Sequence, residues 1–227
     1  MILSFPYTKE LDYDCADCGF CVQTEQPPDE CPACGSSKIF IRDDALAPLR
    51  DFVSDTRVRV PDKGLWVAKV PITQMVWRLI EGFNPSRFKG DLLPVESVSQ
   101  RDCIDFVSHF NHNPIVVESG WVFRLPTAEE WSLFARRGRR KFNNIAWSWG
   151  DSDGSPHPVA TKSPNPLGLY DLWGNIWEWC SDVDDNGAIC RGGCWCCDEA
   201  GCMEVEHWPA DTRCSLIGFR LCAEKTA

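Results

Sequence analysis

No run of eighteen apolar residues occurs in the 227-residue chain, so no membrane-spanning helix is expected. The opening residues, MILSFPYTKELDYD, lack a basic n-region and a long apolar h-region, so no secretory signal is read there and a cytoplasmic location is expected. Positive charge is scarce: 23 Lys and Arg stand against 33 Asp and Glu, a net charge of −10. Such a surface repels phosphate, so no nucleic-acid partner is expected. Histidine is scarce too, with four copies at 109, 112, 157 and 207. His109 and His112 fall at helical spacing, but no His-x3-His-x-Glu helix supports them, and they read as surface or hydrogen-bonded side chains. Internal repeats and low-complexity tracts are also missing.

What is abundant is cysteine and tryptophan, with 14 and 11 copies, alongside 16 Gly and 16 Pro. In a reducing compartment so many thiols point to metal ligands or catalysis more than to disulfides. Tryptophans beside glycines, as in SWG, LWGN and GGCW, suit a loop-rich domain pinned by large rings whose N–H groups need partners. The stretch CADCGFCVQTEQPPDECPACG carries two Cys-x-x-Cys turns, Cys15/Cys18 and Cys31/Cys34. Each is followed by a glycine, Gly19 or Gly35, that permits the backbone to fold its amides toward the sulfurs. Together they supply a tetrahedral four-sulfur set that suits zinc or iron. With Tyr13 before the first turn and Pro32 in the second, residues 11–41 resemble a rubredoxin-like zinc ribbon. Cys21 is left over as a packed or surface thiol.

Residues 42–61 are polar and of mixed charge, and read as a linker, with or without a short helix. Residues 62–227 read as the main domain. GLWVAKV alternates as a strand. Thr73 caps a helix with Val76, Trp77 and Ile80 on one face, and Ser99 caps another with Cys103, Phe106, Val107 and Phe110. Thr127 and Glu130 form a capping box before Trp131, Phe134 and Ala135. Beyond residue 142 helical periodicity is lost, and short strands and turns take over.

The ordered series PITQ, NPSRFKGDLLPVESVSQRDCIDF, RLPTAEEW, SWGD, GLYDLWGNIWEWC, RGGCW and GFR covers residues 62–222 in the main. It resembles the formylglycine-generating enzyme (sulfatase-modifying factor) family. The resemblance implies an α+β, loop-rich variant of the C-type-lectin-like fold, here preceded by the small metal ribbon. It also implies a Cu(I)-binding cysteine pair spaced Cys-x4-Cys after the GG motif, which falls on Cys197 and Cys202. In the family's enzymes that pair holds copper and a peptide cysteine is oxidised to formylglycine. Two thiolates suit a soft ion that tolerates near-linear coordination. The chain departs from the pattern at three places. Cys194 stands where the family has serine, Gly201 where it has an aromatic, and residues 203–217 are short and acidic, with Arg213 as their one arginine. Cys190, Cys194 and Cys196 receive no role from the resemblance, and Cys180 and Cys222 read as packed thiols.

The resemblance also places a calcium loop at Gly174, Asn175, Ile176 and Glu178, since hard oxygen ligands on a rigid loop suit Ca²⁺. The alternative is that Asn175 and Glu178 hydrogen-bond loop backbone. The acidic run Asp182, Asp184 and Asp185 reads as solvated. Arg124 and Arg220 read as buried arginines tying loops to the core. Three functions are compatible with these residues: a copper-dependent oxidase acting on a peptide cysteine, a non-catalytic lectin-like module binding a protein or peptide, and a thiol-rich metal or redox protein.

Overall fold

Three helices begin at the hydroxyl caps that their sequences require. In the computed structural model, residues 11–15, 21–24, 28–37, 39–41, 46–55, 57–61 and 64–226 are described, with backbone alone for 11–15, 21–24, 39–41 and Asp55. The N-terminal strands β1 (Leu11–Cys15), β2 (Cys21–Thr24) and β3 (Ile39–Ile41) form an antiparallel sheet in the order β2-β1-β3. Helix α1 spans Ala47–Asp55, followed by β4 (Arg57–Arg59) and β5 (Trp66–Ala68). Helix α2 (Gln74–Glu81) starts where the Thr73 side chain accepts the Val76 N–H, and ends at Gly82 in the left-handed region. Helix α3 (Gln100–His112) carries a full capping box between Ser99 and Asp102. Asn113, followed by Pro114 at the first helical position, opens a short α4 (Pro114–Ser119) that the apolar spacing did not suggest. Strand β6 (Trp121–Arg124) leads to α5 (Ala128–Phe134), whose capping box pairs Thr127 with Glu130 as expected.

The remainder is mostly strand and ordered loop: β7 (Ala146–Trp147), β8 (Trp173–Gly174), β9 (Trp177–Asp184), β10 (Gly187–Arg191), β11 (Val205–Trp208), β12 (Ile217–Phe219) and β13 (Cys222–Lys225). They assemble as β4-β5-β13-β6, β11-β10-β9-β12 and the parallel pair β7-β8, with β12 parallel to β9. This is the mixed, loop-rich architecture that the resemblance implies. Among the described residues, no helix is long and apolar enough to cross a membrane.

One boundary is corrected. Of the expected linker 42–61, the described residues 46–55 and 57–61 belong to the main domain: Leu49, Phe52 and Val53 of α1 are buried in the main core, and β4 pairs with β5 in register Val58↔Val67. The Phe52 ring meets Phe110 edge-on at 5.9 Å and Phe123 at 6.5 Å. Burying a side chain of this size contributes about 1.5–3 kcal/mol, which the polar residues around it in sequence conceal.

Candidate functional site

Strand β10 is followed by Gly192 and Gly193, and these two glycines decide where the following cysteines go. Both have positive φ, 97° and 76°. A Cβ on Gly193 would lie 2.4 Å from Cys202 Sγ, and one on Gly192 would lie 2.6 Å from the Leu172 carbonyl oxygen. Only glycine permits this turn and this approach. Beyond it the Cys197 N–H donates to the Cys194 carbonyl at 3.0 Å, and the Cys202 N–H donates to that of Asp198 at 3.0 Å. Two tight turns thereby fold residues 194–202 back on themselves. The Trp195 N–H donates to the Asn175 carbonyl, and Trp149 N–H donates to the Cys197 carbonyl, both at 2.9 Å.

The result is a cluster of four sulfurs. Cys202 and Cys197 pack into the same apolar cluster. Cys194 Sγ lies 3.1 Å from Cys197 Sγ and 3.2 Å from Cys196 Sγ, neighbours that the sequence reading left without a role. Cys194 and Cys202 are buried, whereas Cys196 and Cys197 are half-buried. Thiol hydrogen bonds from Cys194 and Cys202 hold the Cys197 thiol well below its ordinary pKa, as a thiolate. Donating to that thiolate keeps Cys194 and Cys202 protonated well above theirs. This soft donor set fits Cu(I), with two sulfurs from the expected pair and more at hand. By contrast, burial raises the thiols of Cys180, Cys190 and Cys222, which are inert packing groups.

The loop expected to hold calcium is closed on protein partners. Asn175 Oδ1 accepts the His157 N–H at 2.9 Å and its Nδ2 donates to the His157 carbonyl at 3.0 Å. Glu178 is fully buried, as is Arg220. Its Oε1 accepts from Arg220 Nη2 at 2.7 Å, and its Oε2 accepts from Trp131 Nε1 at 2.7 Å. Arg220 also donates to the carbonyls of Ala68 at 2.8 Å and Tyr170 at 2.6 Å. Asn175 thus bonds backbone, as the alternative had it, whereas Glu178 bonds the side chains of Arg220 and Trp131 rather than loop backbone. Gly174 serves a different need: a Cβ there would lie 1.9 Å from the Trp147 carbonyl oxygen.

Arg220 is the buried tie expected of it, but Arg124 is not. It is half-exposed and pairs with Glu130 at 2.7 Å and Glu224 at 2.6 Å. His109 faces Glu81 and His112 faces the Ser108 carbonyl, so they do not converge on one site. Asp182 accepts from the Ala128 N–H at the start of α5, and Asp184 accepts from the Asn186 N–H in its own turn, so the two carboxylates serve different parts of the fold. Of the N-terminal four-sulfur set, Cys18 lies outside the described residues and Cys15 is described by backbone alone. Cys31 and Gly35 do form one tight turn, with Gly35 N–H donating to the Cys31 carbonyl at 2.8 Å.

A profile of the sulfatase-modifying factor enzyme 1-like domain matches residues 45–225. The chain belongs to that family. The match begins two residues before α1, in keeping with the burial of that helix. The family relative "Chaperone protein LppX" of Paenibacillus barcinonensis is 25% identical over 219 residues, which covers 69% of this chain and 78% of LppX. The formylglycine-generating enzyme of Thermomonospora curvata is 26% identical over 218 residues, covering 73% of this chain and 66% of that enzyme. This chain thus spans just under two thirds of that relative. Among solved structures, Treponema denticola variable protein 1 superposes with a TM-score of 0.64 at 23% identity, over 74% of this chain and 90% of that one. At that identity the likeness concerns the fold alone, and function rests on the site.

Proposed function

We propose that this family member is a copper-dependent oxidase that converts a cysteine of a peptide to formylglycine, with Cys197 and Cys202 as the copper ligands. The observation that carries the reading is the packing of Cys197 and Cys202 in one cluster, with the Cys197 pKa lowered by neighbouring thiols, on a loop that is half-buried at Cys197. Bound Cu(I) would supply dioxygen activation beside a substrate thiol. The chain's own residues set the rest. Gly192 and Gly193 bring the two sulfurs together, and Trp149, 73% exposed and bonded through its N–H to the Cys197 carbonyl, offers a ring for a peptide to pack on. Glu204 and Glu206, in the acidic 203–217 stretch, are exposed, while Glu199 is paired with Arg137. Arg213, the one arginine of residues 203–217, is held by Asp102 in two bonds of 2.6 Å. The favoured peptide therefore carries Lys or Arg beside its cysteine. The N-terminal Cys15, Cys18, Cys31 and Cys34 would hold zinc or iron in a ribbon that docks the partner or passes electrons, in a reducing, cytoplasmic setting.

Incubation of the copper-loaded protein with a cysteine peptide, dioxygen and a thiol reductant tests this. The expected result is oxygen uptake and an aldehyde on the peptide that is trapped by a hydrazide, both lost in Cys197→Ser. Absence of aldehyde across basic, neutral and acidic peptides refutes the oxidase. The second reading is a non-catalytic binding or accessory module. It is favoured by the acidic, shortened 203–217 stretch and by similarity to a relative named as a chaperone. Retained partner binding in a Cys197→Ser/Cys202→Ser variant supports it.

A further inference from the structure

Cys194 and Cys196 lie outside the pair, yet they are placed as deliberately. The sulfurs of Cys194, Cys196 and Cys197 all lie within 4.8 Å of one another. The backbone holds them there from two directions. The Cys197 N–H to Cys194 carbonyl bond folds the three cysteines to one side of a turn, while Trp195 between them points away. Its Nε1 donates to the Ser215 carbonyl at 3.3 Å, and its ring meets Phe88 edge-on at 5.8 Å. Thiols are weak hydrogen-bond partners, so three in contact add little stability on their own, and as thiolates they repel. A soft cation between them turns that repulsion into coordination.

We propose that Cys194, Cys196 and Cys197 form a three-sulfur site for a soft monovalent ion, Cu(I), which shares Cys197 with the Cys197/Cys202 pair. This site is complete without a sulfur from any substrate, and it stands whether or not the chain oxidises a peptide. Its extra ligands include Cys194, the residue at which the chain departs from the family's serine.

The test is a Cu(I) titration of the reduced full chain against a competing chelator, reading the number of ions bound and their affinity. Wild type is compared with Cys194→Ser, Cys196→Ser and Cys202→Ser. The contribution of the N-terminal cysteines is common to all four proteins and cancels. At a chelator strength that strips an ion held by the Cys197/Cys202 pair alone, wild type and Cys202→Ser are expected to keep the three-sulfur ion, and Cys194→Ser and Cys196→Ser to lose it. The affinity loss should exceed the roughly 10–100-fold that removal of a merely supporting group costs. Cys196 is half-buried, so its variant decides the matter if Cys194→Ser does not fold. Copper binding by Cys196→Ser equal to wild type overturns the proposal, as does an equal loss in Cys202→Ser. Aldehyde formation by Cys196→Ser, measured alongside, reports on the oxidase separately from the ion count.

Discussion

Replacing Glu178 by Gln removes the charge from the centre of the fold while keeping the shape of the side chain. Both partners of the Glu178–Arg220 pair are fully buried, and both carboxylate oxygens are engaged, by Arg220 and by Trp131. In the variant the amide oxygen still accepts from one donor while its NH2 faces the other, and the Arg220 charge loses its counter-charge, keeping the carbonyls of Ala68 and Tyr170. Breaking a buried pair by removing one partner costs about 3–5 kcal/mol. For a chain of this size about 2–4 °C accompanies each kcal/mol, so the midpoint should fall by about 6–20 °C. Urea unfolding and calorimetry read the two quantities. The double variant Glu178→Leu/Arg220→Met, which leaves no orphan charge, should be more stable than Glu178→Gln. A loss below about 1 kcal/mol in Glu178→Gln would refute the reasoning, because the site would then be wet or free to rearrange. The same calorimetry on wild type should show no shift in midpoint on adding calcium, since an ion that bound Glu178 in the native state would raise it.

Three other perturbations test separate parts of the molecule. Burial raises the Asp171 carboxyl to about 6, so the native state holds a proton that the unfolded chain releases near 3.8. That group's contribution is full below pH 3.8 and is lost as pH rises to about 6, a change of about 3 kcal/mol, so stability curves of wild type and Asp171→Asn should diverge across that window and run parallel above it. Gly193→Ala puts a methyl 2.5 Å from Cys202 Cα in a left-handed turn, and Cu(I) affinity should fall together with the melting temperature; unchanged copper binding would contradict the role given to the turn. Phe52→Ala should cost about 3–5 kcal/mol in urea unfolding if α1 belongs to the core, whereas a helix in a linker would lose almost nothing.

Local chemistry was legible wherever a few neighbouring residues decide the outcome. The hydroxyl caps at Thr73, Ser99 and Thr127 start their helices because each side chain accepts a nearby N–H. The Asn113–Pro114 start of α4 was just as local, and the cap-plus-proline signal could have found it. The linker reading failed because three apolar residues among charged ones look solvated until Phe110 and Phe123 are seen to enclose them.

The ordered motifs by themselves determined the family and the loop-rich fold. Tertiary structure decided which polar groups are spent. Glu178 and Arg220 are 42 residues apart in sequence and bond only because β9 and β12 run side by side. Arg213 and Asp102 are 111 apart. Spacing also did not reveal that Cys194 and Cys196 turn onto Cys197, because that depends on Trp195 being drawn the other way by Phe88 and Ser215. Short-range geometry is carried by neighbouring residues, whereas the partner that satisfies a buried charge or crowds a sulfur arrives from a distant part of the chain and is fixed only when the core closes.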